Sequence, residues 1–134
     1  MDIKKEKVLC QKQWAKNKYL VLSYSSKIYL EIRTYLKQEK VSLEKVNKLI
    51  KQAINLPEDK GQVTNALHHV WGYFKKFATK EEKDNFFEMI EDYHINKTTK
   101  EDLIEEVKKL LEKYPNTYLE QSTFINGGKD ETLA

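Results

Sequence analysis

The segment 60–77 carries the side chains best suited to chemistry. With about 100° of rotation per residue, one flank of a helix here groups an amide, an imidazole, a phenol and an ammonium around a glycine. These residues are Asn65, His69, Gly72, Tyr73 and Lys76. Because this flank adjoins an apolar stripe, we expect its side chains to be half buried and to need polar partners. They could form a pocket for a phosphate, a sugar edge or a base, or an internal hydrogen-bond network that fixes one helix crossing.

The apolar stripe of the same segment predicts one helix from about residue 60 to 77. Its members fall within about 80° of arc, with Leu67 at their border. They are Val63, Ala66, Val70, Phe74 and Phe77. The far flank holds His68, Trp71 and Lys75. Since a glycine inside a helix costs roughly 1 kcal/mol relative to alanine, we expect another backbone or a ligand to approach Gly72 closely.

The first helix adds a second cluster of aromatic and basic residues. Trp14 and Lys18 are four positions apart, and Tyr19 adjoins Lys18. Aromatic rings among lysines can stack bases while the ammonium groups contact phosphates. The alternative is a tryptophan packed in the core with lysine stems around it. Cys10, in the same helix, is expected to be a small, semi-buried filler rather than a reactive thiol.

Metal binding and nucleophilic catalysis have little support in the sequence. The adjacent His68 and His69 diverge by about 100° on a helix, and neither has a metal-ligating side chain three or four positions away. One cysteine gives no ligand cluster, and no glycine-rich phosphate loop or nucleophile elbow occurs. We therefore expect no cofactor, no metal and no catalytic residue. A weaker hypothesis assigns His69 and Tyr73 acid–base roles on a small substrate.

The charge of the chain is divided between its two parts. The formal net charge of the 134 residues is only +3. Residues 1–80 hold 17 basic and 7 acidic side chains. Residues 81–134 hold 7 basic and 14 acidic side chains. This asymmetry indicates a surface that faces a polyanion, or basic and acidic helices that pair across their edges. Since Arg33 is the one arginine, anion binding would rest on lysines, which makes it salt-sensitive and poor at base readout.

Helical spacing recurs along the chain and predicts an all-α fold. We expect a compact single-domain bundle of about six amphipathic helices plus a short C-terminal helix over residues 1–126, followed by a flexible tail over residues 127–134. The apolar runs are too short to span a bilayer, and the N-terminus has no apolar core of signal-peptide length. These features predict a soluble, cytoplasmic protein with no membrane partner.

Local signals predict where the helices begin and which residues they bury. The first helix should cover about residues 4–22, with Val8, Leu9 and Leu20 among its buried positions. The residues expected to cap later helices are Ser25 or Ser26, Ser42, Thr79, Thr98 and Asn116. Two of them open capping-box patterns, Thr79-x-x-Glu82 and Thr98-x-x-Glu101.

Four segments follow each other in an order that is shared with a known family. They are Lys18-Tyr19-Leu20 with Ser23-Tyr24-Ser25, then Asn65-x-Leu67-x-His69-x-x-Gly72-Tyr73-Phe74-Lys75, then Ile90-Glu91-x-Tyr93, and finally Tyr114-Pro115 with Tyr118-Leu119-x-Gln121. Together they resemble the YbgA-like domain, a bacterial domain of unknown function. The chain departs from the family pattern at Asn17, where a histidine is usual, and at residues 98–100, which replace a more apolar stretch that contains proline.

The resemblance implies a role beside tRNA. The YbgA-like domain occurs alone or fused behind a cysteine-rich domain of the thiouracil-desulfidase type, where it is associated with engaging thiolated tRNA. With one cysteine, this chain is expected to lack the iron–sulfur cluster and the desulfidase activity themselves.

The leading hypothesis is a non-catalytic RNA-binding module, with tRNA as the expected ligand, that acts alone or assists a separate tRNA-thiouridine desulfidase. The residues expected to contact or orient the ligand are Lys18, Tyr19, Asn65, His69, Tyr73, Lys75, Lys76 and Gln121. The alternative is a protein-interaction or structural accessory domain, without nucleic-acid binding, whose acidic helices dock a partner.

Overall fold

Eight α-helices and no strand occur in residues 2–127, the part of the chain that this computed structural model describes. The helices are α1 (Ile3–Leu22), α2 (Ser26–Tyr35), α3 (Leu43–Ile54), α4 (Lys60–Trp71), α5 (Lys80–His94), α6 (Lys100–Lys113), α7 (Thr117–Glu120) and α8 (Thr123–Asn126). The predicted all-α bundle of six main helices is confirmed, and its C-terminal end consists of two one-turn helices. None of the described helices is both long enough and apolar enough to cross a membrane. The predicted tail lies outside the described residues from position 128 onward.

Side-chain caps set most helix starts where the sequence predicts them. Ser25, Ser42 and Asn116 each accept a hydrogen bond from a backbone N–H of the helix that follows, and the Thr79 capping box is complete. The predicted box at Thr98 is wrong, because the helix begins one residue later. The α6 box is formed by Thr99 and Asp102, and the Thr98 hydroxyl donates to the same Asp102 carboxylate at 2.8 Å.

Two apolar clusters form the core, and α1 contributes to both. The first cluster lies between α1, α2 and α3 and is built on Cys10, Val21, Ile28, Ile32, Leu36, Val41, Val46, Leu49, Ile50 and Ala53. The second joins the last turns of α1 to α4, α5, α6, α7 and α8, with Tyr19 and Leu22 as the α1 members. The C-terminal end of α1 therefore lies where the two clusters meet.

The buried face of α1 includes the polar residues Gln13 and Asn17, which the pattern of apolar residues does not predict. Val8 and Leu9 are 47% and 39% exposed, so their predicted burial is wrong. Leu20 is partly buried and packs against the second cluster. The helix instead packs on α3 through the face that carries Cys10 and Gln13. Gln13 Nε2 donates a hydrogen bond to Asn47 Oδ1 of α3 at 2.8 Å. Val8 and Leu9 lie beside this face rather than on it.

Helix α4 ends at Trp71, six residues before the predicted end. The chain continues as tight turns, in which the Phe74 N–H donates to the Trp71 carbonyl and the Phe77 N–H to the Phe74 carbonyl, both at 2.9 Å. Regular helical spacing ends at Trp71, although Phe74 is buried as predicted. Phe77, predicted to lie in the core, is 66% exposed, whereas Trp71 is buried. The close approach at Gly72 comes from its own turn, since an added Cβ would lie 3.1 Å from the His69 carbonyl oxygen.

Candidate functional site

Tyr19 lies at the centre of the polar-aromatic residues that the fold brings together. The last turns of α1 pack against α4, which buries Tyr19 to 6% exposure. The hydroxyl oxygens of Tyr19 and Tyr73 are 2.8 Å apart, and their rings meet edge to face. Burial, followed by this hydrogen bond, raises the pKa of Tyr19 far above its usual value. Tyr19 therefore remains a neutral phenol that positions Tyr73, and it is poorly suited to proton transfer near neutral pH.

Tyr118 and Lys18 complete what we call the tyrosine–lysine cluster, which comprises Lys18, Tyr19, His69, Tyr73 and Tyr118. The Tyr118 ring stacks on Tyr73 with centroids 6.0 Å apart and planes 10° from parallel. Lys18 Nζ lies 5.2 Å from the ring centroids of both Tyr19 and Tyr118. His69 borders the group, with its ring centroid 6.5 Å from that of Tyr19. Cation–π attraction of roughly 0.5–1 kcal/mol per ring holds the ammonium in place.

A buried hydrogen bond fixes α8 beside Lys18. Asn17 is completely buried, and its Nδ2 donates to the Gln13 carbonyl at 2.9 Å. The Thr123 hydroxyl donates to Asn17 Oδ1 at 2.7 Å. The position at which the resemblance predicts histidine is thus occupied by a buried amide. Because Thr123 follows Tyr118 by five residues, this bond also helps to hold α7 over the cluster.

The structure brings half of the predicted site residues together. Lys18, Tyr19, His69 and Tyr73 belong to the cluster described above. Asn65 and His69 are exposed rather than half buried, whereas Tyr73 is half buried as predicted. The predicted internal hydrogen-bond network is therefore limited to the Tyr19–Tyr73 pair.

The other predicted ligand contacts lie on the surface around the cluster. Lys75 and Lys76 are exposed in the turns after α4, and Gln121 is exposed at the end of α7. None of these three side chains forms a hydrogen bond or an ion pair with another residue of the range 2–127. They are accessible, and a ligand would have to span them and the cluster.

Trp14 does not join the cluster. It is half buried, and its ring packs against Tyr29, with centroids 5.3 Å apart, beside the first apolar cluster. The interpretation of Trp14 as a core-packing residue therefore holds, and its proposed role in stacking bases has no support from its position.

Two aromatic residues of this region were not among the predicted site residues. The sequence does indicate a role for Tyr118, because this residue is part of the C-terminal segment that supports the resemblance. The sequence does not indicate a surface role for Phe77, because its spacing matches the core stripe of a helix that ends earlier than predicted. Its ring stacks on Tyr114 with centroids 6.3 Å apart and planes 22° from parallel.

The ion pairs of the described residues all use lysines from the acidic part of the chain. They are Lys100–Glu58, Lys108–Glu105 and Lys113–Glu82. No lysine in the range 2–80 lies within ion-pair distance of a described carboxylate, so basic and acidic helices do not pair across their edges in the predicted way. The lysines in the range 2–80 are therefore not neutralised by ion pairs with described carboxylates.

No group of three or more histidine, cysteine, aspartate or glutamate side chains is arranged to hold a metal ion within the part of the chain that is described. His68 packs edge to face on Phe87, and His94 Nε2 lies 2.8 Å from the Thr64 hydroxyl. These two histidines therefore have structural neighbours of their own, away from the tyrosine–lysine cluster.

The fold and the site together define a small all-α domain with a lysine held among tyrosines beside unpaired surface lysines. The family described as "Protein of unknown function (DUF1722)" matches residues 18–127, and the chain belongs to this family. The YbgA-like resemblance is consistent with that membership. A search of curated proteins gave no match, and a search of solved structures gave none. Every residue of the tyrosine–lysine cluster lies inside the matched range.

Proposed function

We propose that the protein is a non-catalytic RNA-binding module, with tRNA as the leading ligand, that acts alone or beside a separate tRNA-thiouridine desulfidase. One observation carries the proposal. The Lys18 ammonium lies 5.2 Å from two tyrosine rings and has no carboxylate partner among the described residues. A cation fixed by aromatic rings, with its charge left uncompensated, suits a phosphate bound next to a base.

The lysines around the cluster extend the same chemistry. Lys75 and Lys76 are exposed and unpaired within residues 2–127, so each could neutralise one phosphate. Lysine contacts phosphate as a mobile point charge without bidentate geometry. Binding should therefore depend strongly on ionic strength and weakly on sequence, which suits recognition of a folded RNA by its backbone.

A filter-binding titration with bulk tRNA at two salt concentrations tests the proposal. We expect saturable binding at low salt that weakens as the salt concentration rises, because each contacted phosphate releases counterions. Absence of binding at low salt, or binding that does not respond to salt, would refute RNA binding as the function.

The contribution of the cluster is tested with Lys18→Gln, which keeps most of the side-chain stem and removes the charge. We expect weaker tRNA binding and a salt slope about 0.7–0.9 smaller, as for the loss of one phosphate contact. Lys109→Gln is the matched control, because Lys109 is exposed on the acidic α6. Equal effects of the two substitutions would show that only net charge matters and that the cluster is not the contact site.

The alternative function, docking of a protein partner on the acidic helices, makes the opposite prediction. Neutralising Glu105, Glu106 and Glu112 on α6 to glutamine should abolish partner capture if that face is the interface. Under RNA binding, the same triple variant should bind tRNA at least as tightly as the unmodified chain, because repulsion of phosphate is reduced.

A further inference from the structure

The rings of the tyrosine–lysine cluster offer little free surface to a base. Tyr73 and Tyr118 are half buried, their rings contact each other in an offset stack, and Lys18 Nζ approaches Tyr118. Tyr73 itself meets the edge of Tyr19, which is buried. A base would therefore reach these half-buried rings less readily than a ring that is exposed to solvent. If RNA is bound here with a stacked base, the stacking ring must lie elsewhere on the same surface.

Phe77 has the free ring surface that the cluster lacks. Its side chain is 66% exposed, the largest value among the exposed large apolar residues of the described chain. The ring stacks on Tyr114, which is its one aromatic partner within residues 2–127, and most of the side chain is exposed to solvent. An exposed aromatic ring offers a π-face on which a base can stack.

The support beneath Phe77 is rigid. The Tyr114 hydroxyl donates to Glu82 Oε1 at 2.7 Å, and the Thr79 N–H donates to the same oxygen at 2.8 Å. Lys113 Nζ contacts the other carboxylate oxygen at 3.2 Å. The Glu82 charge is therefore used to brace Tyr114 and to cap α5, so it is largely compensated from within the protein.

The Phe77–Tyr114 pair and the Tyr73–Tyr118 pair join the same two segments of the chain. Tyr73 and Phe77 are four positions apart in one segment, and Tyr114 and Tyr118 are four positions apart in another. The pairs run in opposite order, with Tyr73 on Tyr118 and Phe77 on Tyr114. Two segments thus form a two-step aromatic ladder that ends at an exposed ring.

Three lysines flank Phe77 in the sequence. Lys75, Lys76 and Lys80 all lie within three residues of Phe77, are exposed, and form no ion pair with a described carboxylate. A single exposed ring among three free ammonium groups matches a nucleotide, which presents one flat base and a phosphate on either side. A protein partner of comparable affinity would need a larger apolar surface than one ring provides.

We propose that Phe77 is the stacking surface for an unpaired RNA base and that Lys75, Lys76 and Lys80 contact the adjacent phosphates. The inference rests on the proposed function and adds the class of ligand to it: a single-stranded or looped nucleotide rather than a base-paired stem. The tyrosine–lysine cluster then contacts the backbone, and the ladder holds the two contact points in fixed register.

The test uses a short single-stranded RNA oligonucleotide with 2-aminopurine at one position, whose fluorescence is quenched when the base stacks. We expect the unmodified protein to bind the oligonucleotide and quench it. Phe77→Ala should weaken binding roughly tenfold, about 1.4 kcal/mol, and lose the quenching, whereas Phe77→Trp should retain both. Ile95→Ala is the matched control, because Ile95 is 61% exposed in the acidic part of the chain, and it should behave as the unmodified protein.

The outcomes separate this inference from the function on which it rests. If Lys18→Gln weakens binding but Phe77→Ala changes neither affinity nor quenching, the stacking role is refuted while RNA binding stands. A protein that binds Phe77-dependently but prefers fully paired RNA would overturn the assigned ligand class. If the unmodified protein binds neither the oligonucleotide nor tRNA, the proposed function itself fails. Circular dichroism of each variant shows whether the fold is intact, and Phe77→Leu, which keeps an apolar side chain without a π-face, should behave as Phe77→Ala.

Discussion

Replacing the buried Asn17 by alanine should lower the free energy of unfolding by about 2 kcal/mol. Its hydrogen bonds with described residues include one to the Gln13 carbonyl at 2.9 Å and one from the Thr123 hydroxyl at 2.7 Å, each with a net value of about 1 kcal/mol. The penalty for orphaned groups is small, because the Thr123 hydroxyl also lies 3.2 Å from the Lys16 carbonyl oxygen. The cavity left by the amide adds to the loss.

A double-mutant cycle isolates the bond between α1 and α8. Thr123→Val keeps the side-chain shape and removes the donor, so the cycle with Asn17→Ala should give a coupling of about 1 kcal/mol. Urea unfolding followed by tryptophan fluorescence measures each free energy, since Trp71 is buried in the second cluster and reports its exposure.

The measured coupling energy between Asn17 and Thr123 decides whether this bond contributes to stability. A coupling within about 0.3 kcal/mol of zero, the limit for independent sites, would mean that the Asn17–Thr123 bond contributes nothing to stability. Since this bond helps to hold Tyr118 in the cluster, Asn17→Ala should in addition weaken tRNA binding. Unchanged affinity, in a variant destabilised by the expected amount, would show that α8 does not position the cluster.

Three further predictions test other parts of the structure. Ser122→Ala should leave stability unchanged or raise it by about 1 kcal/mol, because the buried Ser122 hydroxyl has no hydrogen-bond partner among the described residues; a loss in urea unfolding would contradict this. Hydrogen bonds from the Thr79 backbone and then the Tyr114 hydroxyl lower the pKa of Glu82 to about 2. Because this folded-state pKa lies below the unfolded one, Glu82 stabilises the fold above pH 4.5 and less as the pH falls toward 2, so stability of Glu82→Gln should fall less steeply there. Burial raises the pKa of Cys10, so its thiol should react with a disulfide reagent only on unfolding, and fast reaction of the native protein would contradict this.

The parts of the fold that depend on local chemistry were predictable. Ser42 and Thr79 cap helices because a hydroxyl followed by free backbone N–H groups is a short-range arrangement, and the apolar spacing of α3, α5 and α6 fixes the faces they bury. The Thr98 box failed because two overlapping patterns differ by one residue, and only the path of the loop before α6 decides between Thr98 and Thr99.

The parts that depend on tertiary contacts were not predictable in this way. Val8 and Leu9 were expected inside on hydrophobicity alone, but α1 packs on α3 through a face that includes Gln13 and Asn17. Phe77 was assigned to the core by helical spacing, which assumes a helix that in fact ends at Trp71. The sequence therefore indicates which segments hold the candidate site, but it does not indicate which of their aromatic rings are buried and which are exposed.

The buried pair that joins α1 to α8 also has a consequence for synthesis of the chain on the ribosome. Thr123, which donates to Asn17 Oδ1, lies 106 positions later. At about 5–20 residues per second, Thr123 is therefore synthesised roughly 5–20 s after Asn17. The first apolar cluster, between α1, α2 and α3, is complete in sequence long before that. The nascent chain therefore exposes Tyr19 and Leu22 on the far side of α1 until α4 emerges. The part of α1 that packs on α8 stays uncovered until the last helices emerge, so a chaperone could bind this side of α1 in the interval.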